Sequence, residues 1–289
     1  MLRIRSLLGE DVAAADEVLR AAFEADVSFQ PRLRRYLALQ PDGWWVAEDG
    51  GGAIVGIGGA IDYGSVAYIG LMAVRPDWQG RRLGRRLLET TLASLAGRST
   101  TCAVLDASAA GAPLYERMGF VDVGLSHEFW ATDASGAATD GGGPATLTVT
   151  AAVTAAELAD VIRLDGELFG VERPRLWAWL LTAHPGRTLL AHDTVGRLVG
   201  YLCAQDPLLG PFGARAPEVA DALLHRALAL VGHHRVRLQM PEANTAGGDL
   251  LLKRGFKLGR SLRHMRRGPC GPFAGGWASI YGKGSYCLG

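Results

Sequence analysis

The segment Val74–Gly84 has the residue types of an anion-binding turn. It reads VRPDWQGRRLG and separates an uninterrupted apolar run from leucines at helical spacing. A strand that stops at proline and turns through glycine into a helix points unpaired backbone N–H groups outward, where the helix dipole also favours negative charge. The segment therefore predicts a binding site for a pyrophosphate group.

The elements on either side must position this turn. An apolar stretch predicts a strand over Val66–Val74, and a second apolar stretch predicts a buried strand over Thr101–Leu105. A short helix from about Pro113 to Met118 follows. The helix directly after the turn is predicted by apolar residues with a period near 3.6, namely Leu83, Leu87, Leu88, Leu92 and Leu95.

The rest of the first half adds strands and helices in alternation. We expect an opening strand at Arg3–Arg5, a helix from about Asp11, strands at Trp44–Ala47 and Ala53–Ile61, and closing strands at Val121–Gly124 and His127–Trp130. Strands interleaved with helices indicate an α/β or α+β fold.

Three features together carry a family resemblance: the turn, the strand that ends at Asp106, and the segment Pro113–Phe120, which reads PLYERMGF. The chain resembles the GNAT superfamily of acyl-CoA N-acyltransferases, whose phosphate loop reads Gln/Arg-x-x-Gly-x-Gly/Ala. Gln79 and Gly84 match the ends of that loop, whereas Arg82 stands where the central glycine is usual. The resemblance implies a mixed, mostly antiparallel sheet flanked by helices, acetyl-CoA (coenzyme A) as the cofactor, and no metal.

The resemblance also implies roles for individual residues. The backbone of Met72, Ala73 and Val74 would pair with the pantetheine arm where two strands splay apart. Ser108 stands where the family often has an asparagine that touches the cofactor, and Tyr115 would be the catalytic acid that protonates the departing thiolate. The pyrophosphate would be held by Gln79, Gly80, Arg81, Arg82, Leu83, Gly84 and Arg85.

The sequence leaves the general base open. An amine with a pKa of about 10 is mostly protonated near neutral pH, so its acylation requires a proton acceptor. Many family members place a glutamate on the fourth strand, but the nearest equivalent here is Tyr68. The candidates are Asp62, Glu128, His127, the carboxylate at Gly289 and an ordered water.

The second half of the chain repeats the first. At an offset of 136 residues, Leu87-Leu88 falls on Leu223-Leu224 and Gly119-Phe120 on Gly255-Phe256. Small, polar and glycine residues at 133–146 predict a linker between the copies. We expect a cofactor-binding domain at 1–132, a degenerate copy at 147–268, and a glycine-rich aromatic tail at 269–289 that has no regular structure and packs on the body.

The second copy lacks the chemistry of the first. At the offset of 136, its residues Arg215, Pro217, Glu218 and Leu251 fall on Gln79, Arg81, Arg82 and Tyr115. A proline removes an N–H donor and a carboxylate repels phosphate. We therefore expect a tandem arrangement in which this copy binds no cofactor.

Composition narrows the partners and the compartment. The chain has 289 residues, 30 basic and 29 acidic side chains and a formal net charge of +1, so it has no general attraction for nucleic acid. It has no run of about 18 uncharged apolar residues, as a membrane span requires. Its four cysteines lie far apart and are expected to be reduced thiols. We expect a cytoplasmic protein with no membrane partner, for which a homodimer is one option.

The leading hypothesis is an N-acetyltransferase that transfers an acetyl group from acetyl-CoA to a primary amine of a small molecule by direct attack. One alternative is a protein lysine or N-terminal acetyltransferase, which would favour an open groove. The other is a non-catalytic acyl-CoA-binding module, which would bind the cofactor without turnover.

Overall fold

The computed structural model describes residues 2–132, 147–151, 154–231, 235–271 and 277–289. The linker predicted at 133–146 lies outside these residues. Contacts between Cα atoms divide the chain into two compact units. The first unit is Met1–Leu105, Gly111–Val121 and Arg266–Cys270, and the second is Asp106–Ala110, Asp122–Met265 and Gly271–Gly289. Each unit therefore includes a short piece of the other half of the sequence.

The first unit combines a mixed sheet with helices, as the sequence predicts. Its elements are β1 (Arg3–Ser6), α1 (Val12–Phe23), α2 (Gln30–Leu39), β2 (Trp44–Glu48), β3 (Ile54–Asp62), β4 (Val66–Val74), α3 (Leu83–Ala96), β5 (Cys102–Ala107) and α4 (Ala112–Arg117). The strands lie in the order β1-β2-β3-β4-β5. The pairs β1·β2, β2·β3 and β3·β4 are antiparallel, and β4·β5 is parallel.

Helix α2 is the element of this unit that the sequence patterns do not predict. Its sequence, QPRLRRYLAL, mixes three arginines with its apolar residues. It nevertheless buries Leu33, Tyr36 and Leu39, which are spaced three apart and form one narrow stripe. By contrast, α3 buries four of the five leucines that its spacing predicts, and Leu92 is half-buried.

The second unit contains the elements of the second copy and one strand of the first. They are β6 (Val121–Ala131), β7 (Thr148–Thr150), α5 (Ala155–Phe169), α6 (Pro174–Ala183), β8 (Thr188–His192), β9 (Leu198–Ala204), β10 (Leu209–Ala214), α7 (Pro217–Val231), β11 (Val236–Pro241), α8 (Thr245–Lys253), β12 (Lys257–Arg267) and β13 (Ile280–Gly282). Strands β7-β8-β9-β10-β13 are neighbours in that order, as are β12-β6-β11.

The prediction of two closing strands at the end of the first half is wrong. A single strand, β6, runs through both predicted segments. It pairs with β11 without interruption from Ser126 to Ala131. This pairing supplies backbone partners from a distant part of the chain, which local turn signals at Gly124–Ser126 do not reveal.

The tail at 269–289 is also more regular than predicted. Its residues Ile280–Gly282 form β13, which pairs with β10. Trp277, Ile280 and Tyr281 are buried, as expected for a segment that packs on the body. Residues 272–276 of the tail lie outside the described part of the chain.

The expectation of four reduced cysteines is wrong for two of them. Cys102 and Cys270 form a disulfide within the first unit, with their Cα atoms 4.8 Å apart, whereas Cys203 and Cys287 are free and buried. The bonded residues are 168 positions apart in sequence. Such a pair depends on the fold and has no spacing signature.

Two negative findings hold for the described residues. They contain no group of His, Cys, Asp or Glu side chains that could hold a metal ion. They also contain no helix of the length and apolarity that a membrane crossing requires.

Candidate active site

Strands β4 and β5 run together for a short distance and then part. Residues 66–68 pair in parallel with residues 102–104, and within the described residues no later pair joins these strands. On the other edge of β4, Leu71 and Met72 lie opposite the single Gly58 of β3, which is a β-bulge. Leu71 has a left-handed φ of 53°. The result is an open edge along the end of β4, where an extended group can pair with the backbone.

The turn from β4 into α3 contains two left-handed residues. After a 3-10 helix at Pro76–Trp78, Gly80 has a φ of 75° and Arg82 a φ of 60°. Glycine adopts such angles without cost, whereas a side chain makes them unfavourable. Arg82 thus adopts a backbone conformation that a glycine would adopt without cost, at the position where the family pattern has glycine.

The N-terminus of α3 presents backbone donors. The helical hydrogen bond nearest its start runs from the Arg86 N–H to the Arg82 carbonyl, over 3.1 Å. The N–H groups of Leu83, Gly84 and Arg85 precede it and have no acceptor inside the helix. These donors, together with the helix dipole, favour a phosphate group at this position.

The side chains around the turn are basic and largely exposed. Arg81 places its guanidinium 4.7 Å from the centre of the Trp78 ring. Gln79 donates from Nε2 to the Val74 carbonyl over 3.2 Å, which ties the turn to the end of β4. Arg85 forms an ion pair of 2.8 Å with Glu89 on the next turn of α3. The turn therefore offers positive charge next to the backbone donors.

Tyr115 lies on α4 in the same unit as β4 and the turn. It is 8% exposed, and its ring meets that of Phe120 edge-on with 5.9 Å between centroids. The unit thus contains Tyr115 together with residues 72–74 and 79–85. Ser108 is different, because it is exposed in the connection from β5 to α4 and belongs to the second unit.

The candidates for a general base have structural partners. Tyr68 is fully buried. Asp62 accepts hydrogen bonds from the Gly64 N–H (2.9 Å) and the Thr100 hydroxyl (3.0 Å), so it fixes the end of β3. In the second unit, Glu128 accepts from Gln239 over 3.1 Å, His127 contacts Ser261 over 2.8 Å, and the Gly289 carbonyl accepts from Arg173 over 2.8 Å.

The second copy lacks the phosphate turn altogether. The Arg215 N–H donates to the Val199 carbonyl, as the Arg75 N–H donates to the Val55 carbonyl in the first copy. Arg215 is therefore the counterpart of Arg75, and the alignment of Arg215 with Gln79 is wrong. Only Arg215 and Ala216 connect β10 to α7, whereas residues 75–82 connect β4 to α3. The second copy therefore lacks the loop. Comparison of the two copies residue by residue at a constant offset cannot detect such a deletion, because it assumes loops of equal length.

A buried ionic cluster in the second unit was not suspected from the sequence. Lys283 donates from Nζ to both carboxylate oxygens of Asp106, over 2.9 and 2.8 Å, and to the Ser126 hydroxyl over 2.6 Å. His264 Nδ1 lies 2.9 Å from the same carboxylate. Burial favours the neutral carboxyl, but Lys283 and His264 outweigh it and hold the pKa of Asp106 well below its ordinary value. In the sequence, the sign of this cluster is Lys283, a single lysine in a tail of mostly glycine and apolar residues.

Comparison with known proteins gives the same assignment for both halves. Two family models, each described as an acetyltransferase (GNAT) domain, match residues 40–122 and 161–282. The chain belongs to the GNAT superfamily. The uncharacterised N-acetyltransferase YitH of Bacillus subtilis (strain 168) is 28% identical over 212 residues, which are 71% of each chain. The chain itself is therefore an acyl-CoA-dependent N-acyltransferase with two tandem GNAT domains.

Solved structures of two similar proteins share the fold. A protein of Pyrococcus horikoshii assigned as an acetyltransferase is similar over 100% of this chain and 96% of its own, with a TM-score of 0.85 and 22% identity. A tandem GNAT protein from the clavulanic acid biosynthesis pathway covers 94% of this chain and 99% of its own, with a TM-score of 0.66 and 18% identity. The second family match runs to residue 282 and so includes β13.

Proposed function

We propose that the first unit binds acetyl-CoA and that the protein transfers the acetyl group to a primary amine of a small molecule by direct attack. The observation that carries this proposal is the turn at Gly80–Arg82. In the first copy this turn has two left-handed residues and precedes helix N–H groups that have no acceptor inside the helix, and the second copy has no such loop.

The residues of the first unit fit the cofactor. A pyrophosphate requires several N–H donors on one side of a turn and positive charge nearby. Residues 79–85 supply both, through the N-terminus of α3 and the guanidinium groups of Arg81 and Arg82. A pantetheine arm requires an open strand edge, and Met72, Ala73 and Val74 lie on such an edge after the bulge in β4.

Bound acetyl-CoA would supply an activated thioester. The backbone N–H groups of β4 would hold the thioester carbonyl, and the buried ring of Tyr115 would bring a phenol close to the departing sulfur. Tyr115 would then donate its hydroxyl proton to that sulfur. The partners of Asp62 and Glu128 favour an ordered water as the group that takes the proton from the amine.

A small-molecule acceptor is supported by a relative. The tandem GNAT protein to which the chain is similar over 94% of its length belongs to the biosynthesis of clavulanic acid, a small molecule. Acetylation of protein lysines or N-termini is the alternative. The two functions are distinguished by the kind of acceptor with which the enzyme releases free CoA.

Calorimetry of acetyl-CoA binding tests the cofactor site. Wild type should bind one equivalent, and Arg82→Glu should lose at least about tenfold in affinity because a carboxylate then faces the phosphates. Arg34→Glu is the matched control, since Arg34 is exposed on α2 in the same unit. No binding to wild type, or equal binding to both variants, would refute the site.

Release of CoA thiol tests the reaction. A panel of small primary amines and a panel of lysine and N-terminal peptides are incubated with the enzyme and acetyl-CoA. The proposal expects turnover with small amines. Turnover with peptides alone would support the alternative, and tight binding with no turnover would identify a non-catalytic module.

A further inference from the structure

The C-terminal strand β13 lies between β10 and β11 in the second unit. It pairs with β10 in antiparallel fashion, with Phe212 opposite Gly282 and Gly213 opposite Ile280. On the other side, the Lys283 N–H donates to the Gln239 carbonyl of β11 over 2.6 Å. One short segment of the tail thus uses backbone groups of both neighbouring strands.

This position is the counterpart of the open edge in the first unit. In the internal repeat, β10 and β11 correspond to β4 and β5. They also begin with a parallel contact, a bridge between Leu208 and Arg237, and then part. In the first unit the strands part after residues 68 and 104. Each unit therefore has a cleft, which lies between β4 and β5 in the first unit and between β10 and β11 in the second. In the second unit a piece of the same chain fills the cleft.

Side chains of the second unit recognise the backbone of the tail. Asn244 caps α8 by accepting from the Gly247 N–H, and its Nδ2 donates to the Ile280 carbonyl over 3.1 Å. Asn244 is the counterpart of Ser108 at the offset of 136. The Nε2 of Gln205 donates to the Gly284 carbonyl over 3.0 Å. Both Asn244 and Gln205 are buried, so these amides serve the tail and not solvent.

Packing in the filled cleft is close. The ring of Tyr281 lies 5.2 Å from that of Phe212, within one continuous apolar core. A Cβ at Gly282 would stand 2.7 Å from the Leu209 carbonyl oxygen and 3.2 Å from the Phe212 Cβ. The tail approaches β10 so closely that only glycine is accommodated at this position.

We infer that β13 is a built-in replacement for the pantetheine arm: an extended strand of the chain that permanently occupies the cofactor cleft of the second unit. The phosphate loop is also absent there, so this unit takes no acyl-CoA. The tail instead stabilises the unit by filling the cleft. The stoichiometry of one acyl-CoA per chain rests on the function proposed for the first unit. The occupancy of the second cleft does not.

Amide hydrogen exchange on the wild-type protein tests the inference directly. The amides of Lys283 and of β10 should exchange at least about a hundredfold more slowly than in an unstructured peptide. Acetyl-CoA should slow exchange in residues 66–86 and leave residues 209–214 and 280–283 unchanged. Rapid exchange at Lys283, or displacement of residues 280–283 by acetyl-CoA, would overturn the inference.

A pair of variants adds a second readout. Gly282→Ala should speed exchange of the β10 amides about tenfold, since the new methyl group meets backbone that cannot move aside. Ala278→Glu is the control, because Ala278 is exposed on the same tail and should change nothing. Equal exchange in both variants would contradict the inference. If acetyl-CoA protects no segment while Lys283 stays protected, the proposed function fails and the inference stands.

Discussion

At the scale of single residues, Tyr115 is the side chain that we propose as the proton donor of the reaction. Its burial and its edge-on contact with Phe120 fix the ring without using a charge. In the proposed reaction the hydroxyl of this ring gives its proton to the departing sulfur. Its role is therefore separable from cofactor binding.

Replacement of Tyr115 by Phe should lower kcat about 100-fold or more and leave the affinity for acetyl-CoA within about threefold, because only the proton donor is removed. Steady-state rates of CoA release and calorimetry measure the two quantities. Phe120→Leu serves as the control, since it loosens the ring contact and keeps the hydroxyl group. An unchanged kcat in Tyr115→Phe would mean that another group protonates the sulfur.

The buried pair of Lys283 and Asp106 predicts strong coupling. Both side chains are fully buried, so removing one partner leaves an uncompensated charge, at a cost of about 3–5 kcal/mol. Asp106→Asn and Lys283→Met should each destabilise the protein, and the double variant should cost less than the sum. Denaturant unfolding measures this cycle. Strict additivity would show that the two groups do not interact in solution.

The same pair predicts a pH dependence. The pKa of Asp106 is lowered in the folded protein, because Lys283 and His264 outweigh the effect of burial. The unfolded value is about 3.9, so the stabilisation is complete above about pH 5 and is lost as the pH falls toward the folded pKa. Unfolding free energy measured between pH 6 and 3 should fall more steeply for wild type than for Asp106→Asn/Lys283→Met.

At the scale of elements, the turn before α3 has a left-handed arginine at the position where the family pattern has glycine. Arg82 has a φ of 60°, so Arg82→Gly should be more stable than Arg82→Ala by about 1 kcal/mol, although both lose the guanidinium. Chemical denaturation of the two variants gives the difference. Acetyl-CoA affinity should be at least as high in the glycine variant. A more stable alanine variant would show that the turn is not left-handed.

The elements also mark how far sequence reasoning reaches. Strand β4 spans Val66–Val74 as predicted, and α3 buries four of its five predicted leucines, because local period and composition determine such elements. Helix α2 was missed because its apolar stripe is narrow. Strand β13 was missed because a glycine-rich segment becomes a strand only when β10 and β11 offer backbone partners. The sequence predicts the site residues that belong to local motifs. It does not predict the loss of the loop in the second copy, which is recognised only from the backbone hydrogen bond of Arg215.

At the scale of the whole molecule, duplication has produced two units with different solutions to one problem. Each unit has a pair of strands that part and leave backbone groups unpaired, which is costly when these groups are buried. The first unit leaves this edge open next to a phosphate turn. The second fills it with β13. This difference agrees with the proposal that the first copy binds acetyl-CoA, while the tail completes the sheet of the second copy.

The disulfide connects distant parts of the chain and carries the last prediction. Its two cysteines are 168 residues apart, so in the chain-entropy account it removes much freedom from the unfolded state, and its reduction should cost about 2–5 kcal/mol. Thiol titration of the denatured, unreduced protein should give two free thiols, and four after reduction. Reductant should lower the Tm of wild type and leave that of Cys102→Ala/Cys270→Ala unchanged, since that variant has no bond to lose. Four thiols before reduction would contradict the bond, and with it the anchoring of the segment that leads into the tail.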